Sequence, residues 1–435
     1  MWSEIKKYVS FPKINLKNRV WPDKEITKAP IWASVDLRDW NQALIKPMNL
    51  QEKLKLFNLL VEVGFKQIEI GFPSASKTEF EFTRYLIEND LIPDDVTIQV
   101  LIQTREHLIE KTAESLKWAK NVIVHIYNST SVDQRELVFK KSKKEIIDIA
   151  VNWVKWVQKY FSDFTWNLQL QYSPESFTGT ELEFAKEICD SVVSQWNPKK
   201  WEKVIINIPG TVENSTVNIF ADMIEWMHTN LKQRKNIILS LHNHNDRWTW
   251  IAATELGLLA WADRVEWTLL WNWERTWNTD ILTMWLNLFT QWIDPELDFS
   301  NVDKIKEIIE EITQIKTSKR HPYVGELVHT AFSWSHQDAI KKWMDWQKNN
   351  PEQKWRVPYL PIDPKDIWKS YEAIIQINSQ SGKWWTAYVL DAFYWIKLTR
   401  EEQIKMWKLV QEKNDSIDRL LKNEEIYEIY KNNFN

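Results

Sequence analysis

From Ile31 to Phe289 the chain alternates short apolar runs with amphipathic stretches eight times. The runs are Ile31–Asp39, Gln67–Phe72, Thr97–Thr104, Asn121–Asn128, Thr165–Tyr172, Lys203–Pro209, Asn236–His242 and Arg264–Leu270. They are brief and rich in Val and Ile, which reads as strands buried on both faces. Between them lie helical patterns such as Leu50–Val63, Glu145–Phe161, Glu181–Ser194 and Val217–Leu231. Eight consecutive βα units in about 260 residues have the size and rhythm of a (β/α)8 barrel. An open doubly wound sheet is the alternative, but it usually has fewer strands and a Gly-rich first turn, which is absent here.

The expected fold is therefore α/β: a (β/α)8 TIM barrel followed by small, mostly helical subdomains. Residues 1–28 read as a polar arm, 29–325 as the barrel, 326–377 as a linker subdomain and 378–435 as a helical subdomain. Helices are expected over Val302–Ile315, Ala331–Trp346, Thr399–Asn414 and Ser416–Tyr430.

The turns between these elements lack the usual turn residue. The chain has 29 Trp and only 7 Gly in 435 residues, whereas an ordinary chain is about 7% Gly. Asp39-Trp40-Asn41, Asp246-Arg247-Trp248, Gly382-Lys383-Trp384-Trp385 and Trp271-Asn272-Trp273-Glu274-Arg275-Thr276-Trp277-Asn278 all put indoles where a turn calls for a residue tolerant of positive φ. The pattern is that of glycine codons (UGA) read as tryptophan. The contrary reading is a genuinely Trp-rich protein with aromatic binding platforms, and it requires UGG codons at those positions.

Charge and composition narrow the function classes. The formal net charge is −4, so there is no basic field for nucleic acid. The N-terminus lacks a signal-peptide core, and no stretch approaches the ~20 apolar residues of a membrane span. The single cysteine, Cys189, lies in a helical pattern and reads as a buried thiol. A cytoplasmic protein is expected.

The strongest chemical signal is Leu241-His242-Asn243-His244-Asn245-Asp246, at the end of the seventh strand. Residues i and i+2 of a strand point to one side, so His242 and His244 present two imidazoles to one ion. A lone histidine is usually structural; a His-x-His at the C-terminal end of a barrel strand, where barrel active sites sit, favours a metal. Arg38 and Asp39 end the first strand at the same face. Taken alone they would be a surface ion pair. In a closed barrel, strands seven, eight and one are neighbours, so Asp39, His242, His244 and either Asn278 or Glu274 converge. Mixed carboxylate, imidazole and amide ligation suits Mg²⁺, Mn²⁺ or Zn²⁺. His125, Ser173, Glu175 and Thr211 end further strands and complete a polar cup.

At these residues the chain resembles the α-isopropylmalate synthases. Ser34–Leu44, read with glycine at 40, resembles the family's first-strand motif, and Gly71-Phe72-Pro73-Ser74-Ala75-Ser76 its second-strand loop. His125–Ser131, Tyr172–Glu175, His242–Trp250, Trp271–Asn278, Ser333–Lys341, Pro358–Asp366 and Asn378–Trp385 continue the match in order, over roughly residues 29 to 390. Trp32, Trp226 and Trp355 stand where that family itself tends to have tryptophan. The resemblance implies a Claisen-type condensation of acetyl-CoA with 2-oxoisovalerate, at the start of leucine synthesis, on a divalent metal held by Asp39, His242, His244 and Asn278. It implies that Arg38 stabilises the developing alkoxide, and that His125, Ser173 and Thr211 hold the keto acid. Glu175 would line the acyl pocket. Glu274 and His336 would serve as the base pair, with Tyr359 nearby. His336 and Tyr359 would come from the linker of a partner subunit, in a homodimer. Two departures stand out: Asn243 replaces the usual Pro between the histidines, and the family's leucine-binding regulatory domain is not in the sequence, so either leucine feedback is not expected or the sequence is a truncation of a longer chain. Citramalate or homocitrate synthase, with a different 2-oxo acid, and a non-catalytic Trp-rich binding protein are the competing readings.

Overall fold

A computed structural model describes residues 7, 10–103, 105–164, 167–270, 278–331, 333–369, 383–417 and 421–434. Eight parallel strands close into a barrel in sequence order, the first pairing with both the second and the eighth. Strands and following helices alternate: β1 (Ile31–Ser34), α1 (Leu50–Val63), β2 (Gln67–Gly71), α2 (Lys77–Glu88), β3 (Thr97–Ile102), α3 (Glu106–Ser115), β4 (Asn121–Ser129), α4 (Lys143–Tyr160), β5 (Asn167–Glu175), α5 (Leu182–Trp196), β6 (Val204–Gly210), α6 (Val217–Asn230), β7 (Ile237–Asn243), α7 (Trp250–Leu259), β8 (Arg264–Trp267) and α8 (Ile281–Thr290). The chain continues through α9 (Val302–Thr313), α10 (Trp334–Asn349), α11 (Lys383–Tyr394), α12 (Arg400–Asp415) and α13 (Asn423–Asn433).

Local chemistry sets the helix starts. Asn49 and Glu52 form a capping box before α1, and Ser142 and Glu145 form one before α4. Each satisfies backbone N–H groups that the first turn leaves without a partner, three before α1. The faces toward the strands are apolar, as with Leu56, Phe57, Leu60 and Val63 of α1. Ile68, Ile70, Val122, Val124, Ile206 and Ile208 are fully buried on β2, β4 and β6.

The structure corrects several boundaries. The first strand stops at Ser34; Asp36–Trp40 coils into a short π-helical turn in which Asp39 N donates to Val35 O at 2.8 Å. Val35 and Leu37 imitate a strand's spacing but are buried within that turn. Trp40 is not in the left-handed region: its φ is −71° and it is buried. Trp384 and Trp385 lie in α11 rather than in a turn. Trp248, by contrast, has φ +63°. The fifth strand is described from Asn167, and its expected start at Thr165 lies outside the described residues; the last helix starts at Asn423, not Ser416.

The chain divides into two compact units, Met1–Asp298 with Glu307–Ile315, and Phe299–Lys306 with Lys316–Asn435. In the first, Arg19 and the indole of Trp21 both bond Asp222 of α6. In the second, Val389, Leu390, Met406, Val410, Leu421 and Ile426 form a small core. No helix among the described residues is long and apolar enough to cross a membrane.

Candidate active site

The barrel interior is polar on the side toward the strand ends. The π-helical turn after β1 carries Arg38 and Asp39 over the mouth. Arg38 Nε donates to Glu69 Oε2 at 2.5 Å, and its Nη1 is paired with Asp39. Asp39 Oδ2 accepts from Asn278 Nδ2 at 3.1 Å and lies 3.3 Å from His242 Nε2. One ligand atom each from Asp39, His242 and His244 lies within 4.8 Å of the other two, and all three residues are buried. His242 ends β7. His244 lies just beyond it, where it bridges to Asn278. Its Nδ1 is 3.2 Å from the carbonyl of Gly210, which leaves Nε2 directed elsewhere. The Oδ1 of Asn278 is buried without a hydrogen-bond partner among the described residues. A carboxylate and two imidazoles converging in a buried spot, with the Asn278 amide against the carboxylate, fit a divalent cation, since so many acceptors packed together need a positive centre.

The neighbouring half of the cup is a chain of hydrogen bonds. Asn207 Nδ2 donates to Ser173 Oγ at 3.0 Å, Ser173 Oγ is 2.8 Å from His125 Nε2, and His125 Nδ1 is 2.9 Å from Glu69 Oε1. One assignment satisfies every link: the serine hydroxyl donates to Nε2, and Nδ1–H donates to the carboxylate. Burial pushes the Glu69 carboxyl up, but Arg38 and His125 outweigh it and hold it below the usual range. Thr211 Oγ1 accepts from Ser176 N at 2.9 Å. Burial raises the Glu175 carboxyl.

Together these residues line a cavity of about 300 Å3 at the mouth. Arg38, Asp39, His125, Ser173, Glu175, Thr211, His242 and His244 are in its wall. His336 and Tyr359 lie in the second unit, where their rings stack with centroids 4.0 Å apart. Tyr359 holds a left-handed φ of +66°. Glu274 lies outside the described residues.

Sequence reasoning missed the cup's floor: Glu69, Gln99, Asn207 and Glu266, together with Gln42, Leu101, Tyr127 and Pro209 in the wall. A signal was present. Gln67/Glu69, Gln171/Ser173 and Arg264/Glu266 put polar residues at every second position of runs otherwise apolar, marking an inward polar face.

A parallel eightfold barrel with a carboxylate–imidazole cup at the strand ends is an enzyme scaffold, and the chain matches the HMGL-like family over residues 29–309. Solved structures of hydroxymethylglutaryl-CoA lyases share the fold. The one from Pseudomonas aeruginosa superposes with a TM-score of 0.55 at 15% identity, covering 68% of this chain and 96% of its own. That from Bacillus subtilis gives 0.54 at 14%, covering 67% and 96%. Residues 326–391 match the post-catalytic domain-like region of alpha-isopropylmalate synthase. The 2-isopropylmalate synthase of Clostridium acetobutylicum is 54% identical over 432 residues, 98% of this chain and 77% of that protein. The one from Acetoanaerobium sticklandii is 55% identical over 430 residues, 99% and 76%. The chain belongs to the 2-isopropylmalate synthase family and is an acyltransferase.

Proposed function

We propose that the cup condenses acetyl-CoA with 2-oxoisovalerate and water to give 2-isopropylmalate and free CoA, at the head of leucine synthesis. The observation that carries this reading is the convergence of Asp39, His242 and His244 beside Arg38, in a chain of this family. Asp39, His242, His244 and Asn278 would hold the divalent ion, one of Mg²⁺, Mn²⁺ or Zn²⁺. When bound, it supplies Lewis-acid polarisation of the keto acid's carbonyl.

The chain's own residues do the rest. A base removes a proton from the acetyl methyl group, and the resulting carbon attacks the keto carbon. Arg38 stabilises the negative charge that develops on the former carbonyl oxygen. His125, Ser173 and Thr211 hold the keto acid, and Glu175 lines the acyl pocket. Water then cleaves the thioester and CoA leaves as its thiol. Glu274 and His336 are assigned to the proton transfers, with Tyr359 stacked on His336. The second unit of one subunit would serve the barrel of its partner in a cytoplasmic homodimer.

CoA release, measured with 2-oxoisovalerate, pyruvate and 2-oxoglutarate in parallel, tests the reading. The first acid should give the highest kcat/KM. A preference for pyruvate or 2-oxoglutarate would assign the cup to another condensation, and no turnover with any of them would sink it.

A further inference from the structure

Barrel interiors are ordinarily filled by layers of Val, Ile and Leu. Beneath this cup the interior instead holds a fully buried ion pair, Arg264 with Glu266. Removing two such charges from water costs several kcal/mol per ion, and an apolar pair of similar volume would usually serve stability as well. The geometry around Glu266 shows what the pair is arranged to do. Its Oε2 accepts from Arg264 Nη1 at 2.6 Å, Gln171 Nε2 at 2.8 Å and Gln99 Nε2 at 3.3 Å, all from below. Its Oε1 faces the cup, accepting from Asn207 Nδ2 at 2.8 Å and standing 3.2 Å from His242 Nδ1. Arg264 is pinned in turn by Ser240, Gln99 and Gln67, at 2.8, 2.8 and 2.6 Å.

Oε1 and Nδ1 stand at ion-pair distance without the alignment of a hydrogen bond; a carboxylate beside Nδ1 favours the imidazole tautomer that carries its proton there. The lone pair of His242 is then on Nε2, facing Asp39 Oδ2 at 3.3 Å. Two acceptors at that separation repel unless a cation lies between them, and ligand bonds of about 2.1 Å to one ion span such a gap. His244 differs: its Nδ1 is next to a neutral carbonyl, that of Gly210.

We propose that Glu266, held by Arg264, is the positioning residue that fixes His242 as an Nε2 metal ligand and strengthens it as a donor. This rests on the metal reading of Asp39, His242 and His244 given above. Outer carboxylates of this kind typically change metal affinity 10- to 100-fold.

The test is Mn²⁺ binding to the metal-free full chain by calorimetry, with the visible spectrum of the Co²⁺-loaded protein as a second readout. Glu266→Gln should weaken Mn²⁺ about 10- to 100-fold and alter the Co²⁺ spectrum. Because that change strands a buried guanidinium, the double variant Glu266→Gln/Arg264→Met is measured alongside it. It should recover the wild-type unfolding temperature but not the affinity. A double variant that binds Mn²⁺ within twofold of wild type overturns the role of Glu266. Asp39→Asn separates the two levels: if it abolishes binding while the Glu266 variants do not, only the positioning role fails. If it too leaves binding unchanged, the metal site fails and the role falls with it. Histidine ¹⁵N shifts of the wild-type chain need no variant, and a His242 proton on Nε2 in the metal-free protein would also overturn the proposal.

Discussion

Where the barrel strands finish, side chains crowd charge into a small cup; where the surrounding helices finish, the chain turns back with its backbone alone. At the first end the strain is electrostatic. Asp36, Asp39, Glu69 and Glu266 are all buried there, with Arg38 among them and Arg264 beneath. At the other end it is conformational. Gly64, Asp90, Trp118, Asn197, Trp261 and Trp292 follow α1, α2, α3, α5, α7 and α8 with φ between +51° and +107°. After four of these helices the same hydrogen bond recurs, from the residue beyond the left-handed one to a carbonyl five residues back: Phe65 to Leu60, Leu91 to Leu86, Ala262 to Gly257 and Ile293 to Leu288. This helix ending favours glycine because a Cβ is unfavourable at its left-handed position. The cup needs particular side chains at a cost in stability; the helix ends need particular backbone freedom, and their side chains are incidental.

That contrast predicts opposite responses to mutation. The largest effect belongs to the cup. Asp39→Ala or His242→Ala should lower kcat/KM by roughly a thousandfold or more, while the barrel still folds, because Arg38 keeps Glu69 as a partner. A chelator should likewise abolish turnover. Activity surviving either treatment would show that the cup's charge has another purpose. Arg38→Lys comes next. It keeps the charge but loses the fork joining Glu69 to Asp39, so kcat should fall on the order of 100-fold with little change in KM.

Asp36 tests the electrostatic cost directly. It accepts from Leu269 N at 2.9 Å and Ser34 Oγ at 2.7 Å, yet burial pushes its pKa up to about 7 from 3.8. A carboxyl raised in the folded state binds its proton more tightly there than in the unfolded chain. Its contribution to stability is therefore intact below about pH 4 and lost as pH rises to about 7. Asp36→Asn should be near neutral at pH 4 and stabilising at pH 8, by on the order of 2–4 kcal/mol. Denaturant unfolding across that range checks it, and an unchanged slope would mean Asp36 stays charged at little cost.

How much of this was legible in the sequence follows the same division. The β-α rhythm was readable because the strands are short runs rich in Val and Ile, and α1 was placed to the residue. His242 and His244 stood out because two imidazoles two residues apart at a strand end are rare. Asp36–Asp39 was read as strand because Val35 and Leu37 have the spacing of one, and only the closed barrel explains their burial. Glu266 and Glu69 went unnoticed because a carboxylate inside a strand reads as a solvent-facing residue until the strand is known to face a polar interior. The tryptophans were read as surrounding the cup. In the barrel the structure instead puts most of those with left-handed φ at the opposite end, since that is where helices must reverse.

The smallest effects lie at those helix ends, and they bear on what the chain is. Trp118 and Trp292 are 74% and 98% exposed, so their indoles, apart from the Arg84 guanidinium 5.0 Å over the Trp118 ring, add little packing to offset the left-handed backbone. A non-glycine residue there costs roughly 1–2 kcal/mol, against about 0.5–1 kcal/mol of extra chain entropy for glycine. Trp118→Gly, Trp261→Gly and Trp292→Gly should thus each stabilise the protein by about 0.5–1 kcal/mol, with Trp261 gaining least because its ring stacks on His228 at 4.8 Å. Trp32 and Trp285 are the controls. Both are nearly buried, and their indole N–H groups donate to Pro295 O and Leu297 O at 2.8 and 3.1 Å. Removing either ring should cost about 3–5 kcal/mol. If UGA specifies glycine in the cells that own this gene, peptides from the native protein will carry glycine at 118, 261 and 292 and keep tryptophan at 32. Tryptophan at all four would make the indoles at the helix ends genuine, and the strain there a property the enzyme lives with.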